Sequence, residues 1–266
     1  MSNFEILQCP PLDGIEQTVQ YCVKNIENKT ALLESGREHL NTREFLSSTL
    51  LCSLACRHLV GRFPLSSQML AQIGSGICVD YLTSTWWQRF PEAKNQVRKK
   101  RGNSDLEWFQ MFRQGMIFAS LVNERGALEA LGNWTEPWLE LDSYPYSPDP
   151  LYGKLYLLVA RHYRSARAWD ANPLQEELKK SRKKGPKLLY QLWEAVLAKD
   201  QQEFGRFVSE SVQQFEKTLG EIRSYEDSLD LDTSMIVALA RQEGLQLPKL
   251  EARLAARLMT TESLGL

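Results

Sequence analysis

Histidine and cysteine are the ligands of most protein zinc sites, and this chain has three histidines and five cysteines. None of His39, His58 and His162 belongs to an HExxH motif or has a second ligand at metal-binding spacing. Cys52 and Cys56 lie one helical turn apart, but no second cysteine pair accompanies them. We therefore predict structural roles for these side chains, with no metal and no cofactor.

The cysteines also bear on the compartment, because they are odd in number and crowded into the N-terminal third. Reduced, buried thiols in a cytoplasmic protein explain that pattern best. The N-terminus lacks the basic and apolar regions of a signal peptide. No stretch approaches the ~18 consecutive apolar residues of a transmembrane helix. We expect a cytoplasmic protein without a membrane partner.

Acidic side chains gather near the C-terminus, and paired carboxylates act as general acid and base only in a desolvated pocket. The sequence shows no such pocket, so no catalytic residue is predicted. Asp232 is interpreted as a helix N-cap. The remaining carboxylates are candidate contacts for a cationic partner protein: Glu221, Glu226, Asp227 and Asp230.

Basic side chains form two runs, at residues 94–101 and 179–187, that are candidates for binding nucleic acid. The second run follows Glu176 and Glu177 on a helix, where i,i+4 pairing and solvation explain it. A net charge of −1, from 32 basic and 33 acidic residues, disfavours a surface built for nucleic acid.

Two further groups of residues could take part in binding: a glycine pair and a set of aromatic residues. Gly74-Ser75-Gly76 matches no phosphate-binding motif and lies in a helical pattern, so it predicts close helix packing or a bend. Four aromatic residues in a proline-rich stretch are candidate partner contacts: Trp134, Trp138, Tyr144 and Tyr146.

Apolar residues recur at helical spacing along most of the chain. Helix starts are predicted at Thr42, Ser66, Ser104, Asp149, Asn172, Asp200 and Asp232. Helix ends or breaks are predicted near Gly61, Trp86-Trp87, Gly185-Pro186 and Gly244. Five segments complete the prediction: helices at 15–26, 30–39 and 138–141, one long helix from 104 to about 131, and a weak last helix at 250–259.

The pattern predicts an all-α fold, because no strand alternation or βαβ rhythm is present. We expect about ten helices in a bundle or an irregular stack of helical hairpins. Residues 1–266 are predicted to form one domain, with a candidate subdivision near 132–150. Residues 235–240 are apolar almost all round, which predicts a central buried helix.

Two C-terminal segments resemble the all-helical immunity proteins of bacterial polymorphic-toxin systems. These are LLYQLWEAVLAKDQQEF and SLDLDTSMIVALARQEGLQLP, at residues 188–204 and 228–248. The resemblance is closest to the immunity-protein-49 type, with the PoNe-immunity type second, and it covers about a quarter of the chain. Gln246-Leu247 stands where an aromatic-Leu pair is expected.

The resemblance implies a cytoplasmic, non-enzymatic protein that binds and neutralises a toxin domain made by the same cell. Three alternatives remain open. The chain is a helical scaffold or adaptor that uses the aromatic stretch, a nucleic-acid-associated protein that uses the two basic runs, or a helical enzyme if a pocket with convergent polar groups exists.

Overall fold

The computed structural model describes residues 2–7, 14–39, 41–83, 104–134, 150–164, 172–220, 222 and 224–266. Within these ranges the chain forms thirteen α-helices and one 3-10 helix, and no β-strand. Ten of the α-helices have seven or more residues, so the predicted all-α fold of about ten helices is confirmed.

The helices are numbered here in chain order. The first seven are α1 Asn3–Leu7, α2 Ile15–Glu34, α3 Thr42–Val60, α4 Ser67–Thr83, α5 Ser104–Leu121, α6 Arg125–Asn133 and α7 Pro150–Arg161. The next six are α8 Asn172–Lys180, α9 Lys184–Ala198, α10 Gln201–Thr218, α11 Leu231–Gln242, α12 Ala252–Ala256 and α13 Thr261–Leu264. The 3-10 helix Glu226–Ser228 precedes α11.

Several predicted helix boundaries are confirmed by the local geometry. The Asp200 carboxylate caps α10, since its Oδ1 accepts hydrogen bonds of 3.0 Å from the backbone N–H groups of Gln202 and Glu203. Gly61 ends α3 with φ of 73°, and Gly244 follows α11 with φ of 90°. Both glycines adopt the left-handed conformation that terminates many helices.

Two predicted divisions of the chain were wrong. Residues 15–34 form one helix, because the segment between the predicted pair contains neither glycine nor proline. The long helix predicted from Ser104 is two helices, α5 and α6. Asn123 lies between them with φ of 52°, a left-handed conformation that asparagine tolerates better than most residues.

Two predicted caps were also wrong. Thr42 is the first helical residue of α3, and its Oγ1 accepts a hydrogen bond from the His39 N–H outside the helix. Asp232 does not cap α11; Asp230 does.

The predicted weak last helix is shorter than expected, at Ala252–Ala256. The helix predicted at 138–141, the end predicted at Trp86-Trp87 and the Asp149 cap lie outside the described residues.

Helices α5 and α11 occupy the middle of the structure. Helix α5 packs against α3, α4, α6, α7 and α11, and α11 packs against α5, α9 and α10. Nine of the twelve residues of α11 are buried, so the prediction of a central buried helix is confirmed. A single cluster of buried apolar residues extends from Leu7 to Leu264 and surrounds this pair.

Close packing between α4 and α5 depends on Gly74. A Cβ atom at Gly74 would lie 2.6 Å from the Phe118 ring, which is fully buried. A Cβ at Gly76, one half-turn further along the same helix, would meet nothing within 4 Å. The prediction that this glycine pair marks a close helix contact is confirmed for Gly74.

Gly74→Ala should therefore destabilise the fold by about 1–3 kcal/mol, because the core has no room for the methyl group. Gly76→Ala should leave stability unchanged or raise it by about 0.5–1 kcal/mol, because alanine is the better helix former. Urea denaturation of both variants measures the difference. Equal effects at the two positions would contradict the packing described here.

Candidate functional site

A cavity of about 300 Å³ lies between α7, α9, α10 and the first turn of α11. Its polar lining consists of Tyr152, Lys183, Ser211, Gln214, Thr218, Asp230, Asp232 and Thr233. Apolar side chains that include Leu189 and Phe215 complete the wall. Lys183 and Thr218 are exposed, so the cavity has a rim at the surface. We call this cavity the acidic cleft.

Asp230 lies at the buried end of the acidic cleft and caps α11. Its Oδ1 accepts a hydrogen bond of 3.0 Å from the Thr233 N–H, and its Oδ2 accepts one of 2.7 Å from the Thr233 hydroxyl. Only 5 % of the residue is exposed. No salt bridge to Asp230 exists among the described residues.

Asp232 stands two residues later and joins three helices. Its Oδ1 accepts hydrogen bonds from the Arg113 Nε of α5, at 2.9 Å, and from the Tyr156 hydroxyl of α7, at 2.7 Å. The other oxygen, Oδ2, makes no hydrogen bond within the described part of the chain. Asp232 therefore has both a structural oxygen and one that is available to a ligand.

Burial and neighbouring charges shift the pKa values of Asp230, Arg113 and Tyr156. Burial, and secondarily the charge of Asp232, raise the pKa of Asp230 to about 7. Burial disfavours the charge of Arg113, but the neighbouring Asp232 raises the pKa of its guanidinium overall. Burial and Asp232 also raise the pKa of Tyr156, which remains a hydrogen-bond donor. Near neutral pH the cleft thus holds one carboxyl group that readily gains or loses a proton.

Ser211 also lines the cleft. The residue is 5 % exposed, and its Oγ is buried without a hydrogen-bond partner in the described structure. Leaving a buried hydroxyl unpaired costs roughly 1–3 kcal/mol. A ligand with a hydrogen-bond donor or acceptor would remove that cost.

The structure thus brings two carboxyl groups into one desolvated cleft, which the sequence did not show. Carboxyl groups with a pKa raised by burial, as at Asp230, occur in acid–base catalysis. Here, however, both oxygens of Asp230 are held by Thr233, and one oxygen of Asp232 is held by Arg113 and Tyr156. The arrangement is better suited to holding a ligand than to transferring a proton.

The other predicted acidic contacts are dispersed. Asp227 is exposed, and its Oδ2 accepts a hydrogen bond from the Ser224 N–H. Glu226 is half-buried, and burial raises the pKa of its carboxyl group. Glu221 lies outside the described residues. Asp230 is therefore part of the cleft and not of an exposed acidic surface with Asp227.

The aromatic candidates are described only in part. Trp134 is half-buried and packs against Phe112, with ring centroids 5.2 Å apart. Trp138, Tyr144 and Tyr146 lie outside the described residues. The structure therefore places one of the four rings, and that ring lies against the core.

Lys180 in the second basic run has the predicted i,i+4 pairing, a salt bridge of 3.0 Å with Glu176. Lys179 pairs instead with Glu194 of α9, at 3.4 Å. Lys183 lines the acidic cleft. The first run, at 94–101, lies outside the described residues.

His58 is buried, as are Cys22, Cys56 and Cys78. Ser263 Oγ lies 2.8 Å from the Nδ1 of His58, and the His58 Nε2 lies 2.8 Å from the Ala256 carbonyl oxygen, so the ring ties α3 to the C-terminal helices. In the described ranges, no group of three or more His, Cys, Asp or Glu side chains is placed to hold a metal ion. Nor does any described helix have the length and apolarity needed to cross a membrane.

Asp230 provides a pH-dependent test of the cleft. The raised pKa means that the folded chain holds this proton up to about pH 7, whereas an ordinary aspartate with a pKa of 3.8 loses it earlier. Because the folded chain binds this proton more tightly than the unfolded chain, the proton stabilises the fold. The stabilisation is complete below a pH of 3.8 and is lost as pH rises toward 7. Asparagine also caps helices but does not ionise.

Raising the pH from 5 to 8 should therefore lower the free energy of unfolding of the natural chain by about 2–3 kcal/mol more than that of Asp230→Asn. Urea denaturation at both pH values measures the change. Asp227→Asn, which removes an exposed carboxylate, controls for the loss of one negative charge. A difference between Asp230→Asn and the natural chain that stays constant with pH would contradict the buried, ionisable cap.

No family model, curated protein or solved structure matches the chain. Its function is therefore inferred from its own side chains, foremost the two carboxyl groups and the unpaired hydroxyl of the acidic cleft.

Proposed function

We propose that the chain is an immunity-type protein that binds a toxin domain made by the same cell and neutralises it through protein–protein contact. The segments that resemble the immunity-protein-49 type, residues 188–204 and 228–248, contain most of α9, the start of α10 and all of α11. These three helices and α7 enclose the acidic cleft. Both carboxyl groups of the cleft, Asp230 and Asp232, lie in the second resembling segment, and this is the observation that carries the proposal.

The chemistry of the cleft supports binding over catalysis. Asp230 is fixed by Thr233, and Asp232 is fixed through one oxygen by Arg113 and Tyr156. Rigid, desolvated groups of this kind are typical of the centres of protein interfaces, where a few anchor residues supply most of the affinity.

Co-expression with the protein encoded beside this chain tests the proposal. The neighbour alone should arrest growth, and the pair should grow normally and co-purify as one complex. An unrelated toxin domain serves as the control and should receive no protection. A neighbour that is neither bound nor neutralised would overturn the immunity function.

A partner that binds tightly without being toxic would instead support the adaptor alternative. Affinity purification from the native cell identifies such a partner, and expression of that partner alone separates the two functions. Growth arrest by the isolated partner supports immunity. Normal growth, with the complex intact, supports an adaptor.

A further inference from the structure

We propose that the acidic cleft receives one cationic side chain, a lysine ammonium or an arginine guanidinium, from the partner protein. The identity of that partner as a toxin rests on the proposed function. The size, the charge, the unpaired hydroxyl and the walls of the cleft all favour such an occupant.

The size of the cleft suits a single side chain. Its volume of about 300 Å³ lies at the lower end of the range of roughly 300–1,000 Å³ for small-molecule pockets. Leu189 and Phe215 provide apolar wall, while the carboxyl groups belong to the first turn of α11. Lysine and arginine combine an apolar stem with a charged end, so they match both parts of this lining.

The charge of the cleft favours a cation at Asp230. Arg113 balances Asp232 through its hydrogen bond to Oδ1. Asp230, in contrast, has hydrogen-bond donors in Thr233 but no salt-bridge partner among the described residues. The charge of Arg113 favours the ionised form of Asp230 without forming a salt bridge to it. Because a buried carboxylate needs a close counterion, an incoming cation would stabilise it.

Ser211 is the independent sign of a missing ligand. Its buried Oγ lacks a partner, yet the residue lines the cleft together with the available Oδ2 of Asp232. An ammonium group carries three N–H donors and a guanidinium five. Either group has enough donors for the hydroxyl and for both carboxyl groups.

An anionic ligand has weaker support. The N-terminus of α9 and Lys183 lie at the cleft, and both attract negative charge. Lys183, however, is exposed at the rim, whereas Asp230 is buried and would repel an anion at close range. Because the buried charge, at Asp230, is negative, the cleft favours a cation over an anion.

Cation binding should depend on pH, because it favours the ionised form of Asp230. The charged and titratable groups around Asp230 are Asp232 of α11, Arg113 of α5, Tyr152 and Tyr156 of α7, and Lys183 before α9. Burial raises the pKa of Asp230 to about 7. Affinity for a cation should consequently fall as pH is lowered from 8 to 6.

The probe for the test is n-butylammonium, added to the full chain and followed by amide NMR. The Thr233 N–H donates to Asp230 and therefore reports on the cleft. We expect a saturable shift of that signal at pH 8 and a weaker affinity at pH 6. Sodium sulfate, the anionic comparison, should leave the signal unchanged. A Thr233 shift that saturates with sulfate but not with n-butylammonium would overturn the proposal.

Two variants of α10 form a matched pair. Gln214→Lys places an ammonium group on the wall of the cleft and should reduce n-butylammonium affinity at least tenfold. Gln213→Lys adds the same charge at an exposed neighbour outside the cleft and should change affinity less than twofold. Equal losses in both variants, or in neither, would overturn the proposal.

Smaller changes keep the test decisive if Gln214→Lys does not fold. Ser211→Ala removes only the unpaired hydroxyl and should lower probe affinity about threefold to tenfold, the loss of one hydrogen bond. The melting temperature of Ser211→Ala, measured beside the affinity, shows that the fold is retained. Unchanged affinity in a folded Ser211→Ala variant would overturn the proposed contact.

The partner complex separates failure of the cleft from failure of the immunity function. If the cleft holds a partner side chain, Gln214→Lys should weaken the complex at least tenfold and Gln213→Lys should not. If Gln214→Lys leaves the affinity of the complex unchanged, the inference about the cleft is wrong, but the proposed function is not contradicted. Probe binding without any toxin complex overturns the proposed function and leaves the cationic cleft standing.

Discussion

The carboxylate of Asp232 holds together three helices that are distant in sequence. It accepts hydrogen bonds from Arg113 of α5 and Tyr156 of α7 while belonging to the first turn of α11. Hydrogen bonds to a charged group contribute about 1.5–3 kcal/mol each. Because α11 is buried along most of its length, its first turn depends on such internal partners instead of water. This junction fixes where α11 begins and how it meets the rest of the core.

The same junction generates the chemistry of the acidic cleft. Asp232 uses one oxygen for Arg113 and Tyr156, and its second oxygen remains available. Asp230 caps the helix through its hydrogen bonds with Thr233 but has no salt-bridge partner in the described structure. Structural demands at the start of a buried helix thus leave a negative charge and an unpaired Ser211 hydroxyl beside a small cavity. From this negative charge and this unpaired hydroxyl we infer that the cleft binds a cation.

Local signals in the sequence were sufficient for much of the fold. Asp200, Gly61 and Gly244 mark helix boundaries through their own backbone and side-chain preferences, and the apolar run at 235–240 indicates burial directly. The choice between Asp230 and Asp232 as the cap was not local. Both precede a helical segment, and the pairing of Asp232 with Arg113, 119 residues away, decides between them. The acidic cleft has the same origin, because α7, α9, α10 and α11 come together only in the folded chain.

Hydrogen–deuterium exchange of the purified chain, with and without its co-purified partner, tests most directly whether the acidic cleft faces that partner. Exchange should slow on binding in the peptides that cover residues 180–187 and 211–220, which form the rim and one wall of the cleft. Protection confined to helices away from the cleft, such as α2 and α4, with no change in those two peptides, would contradict it.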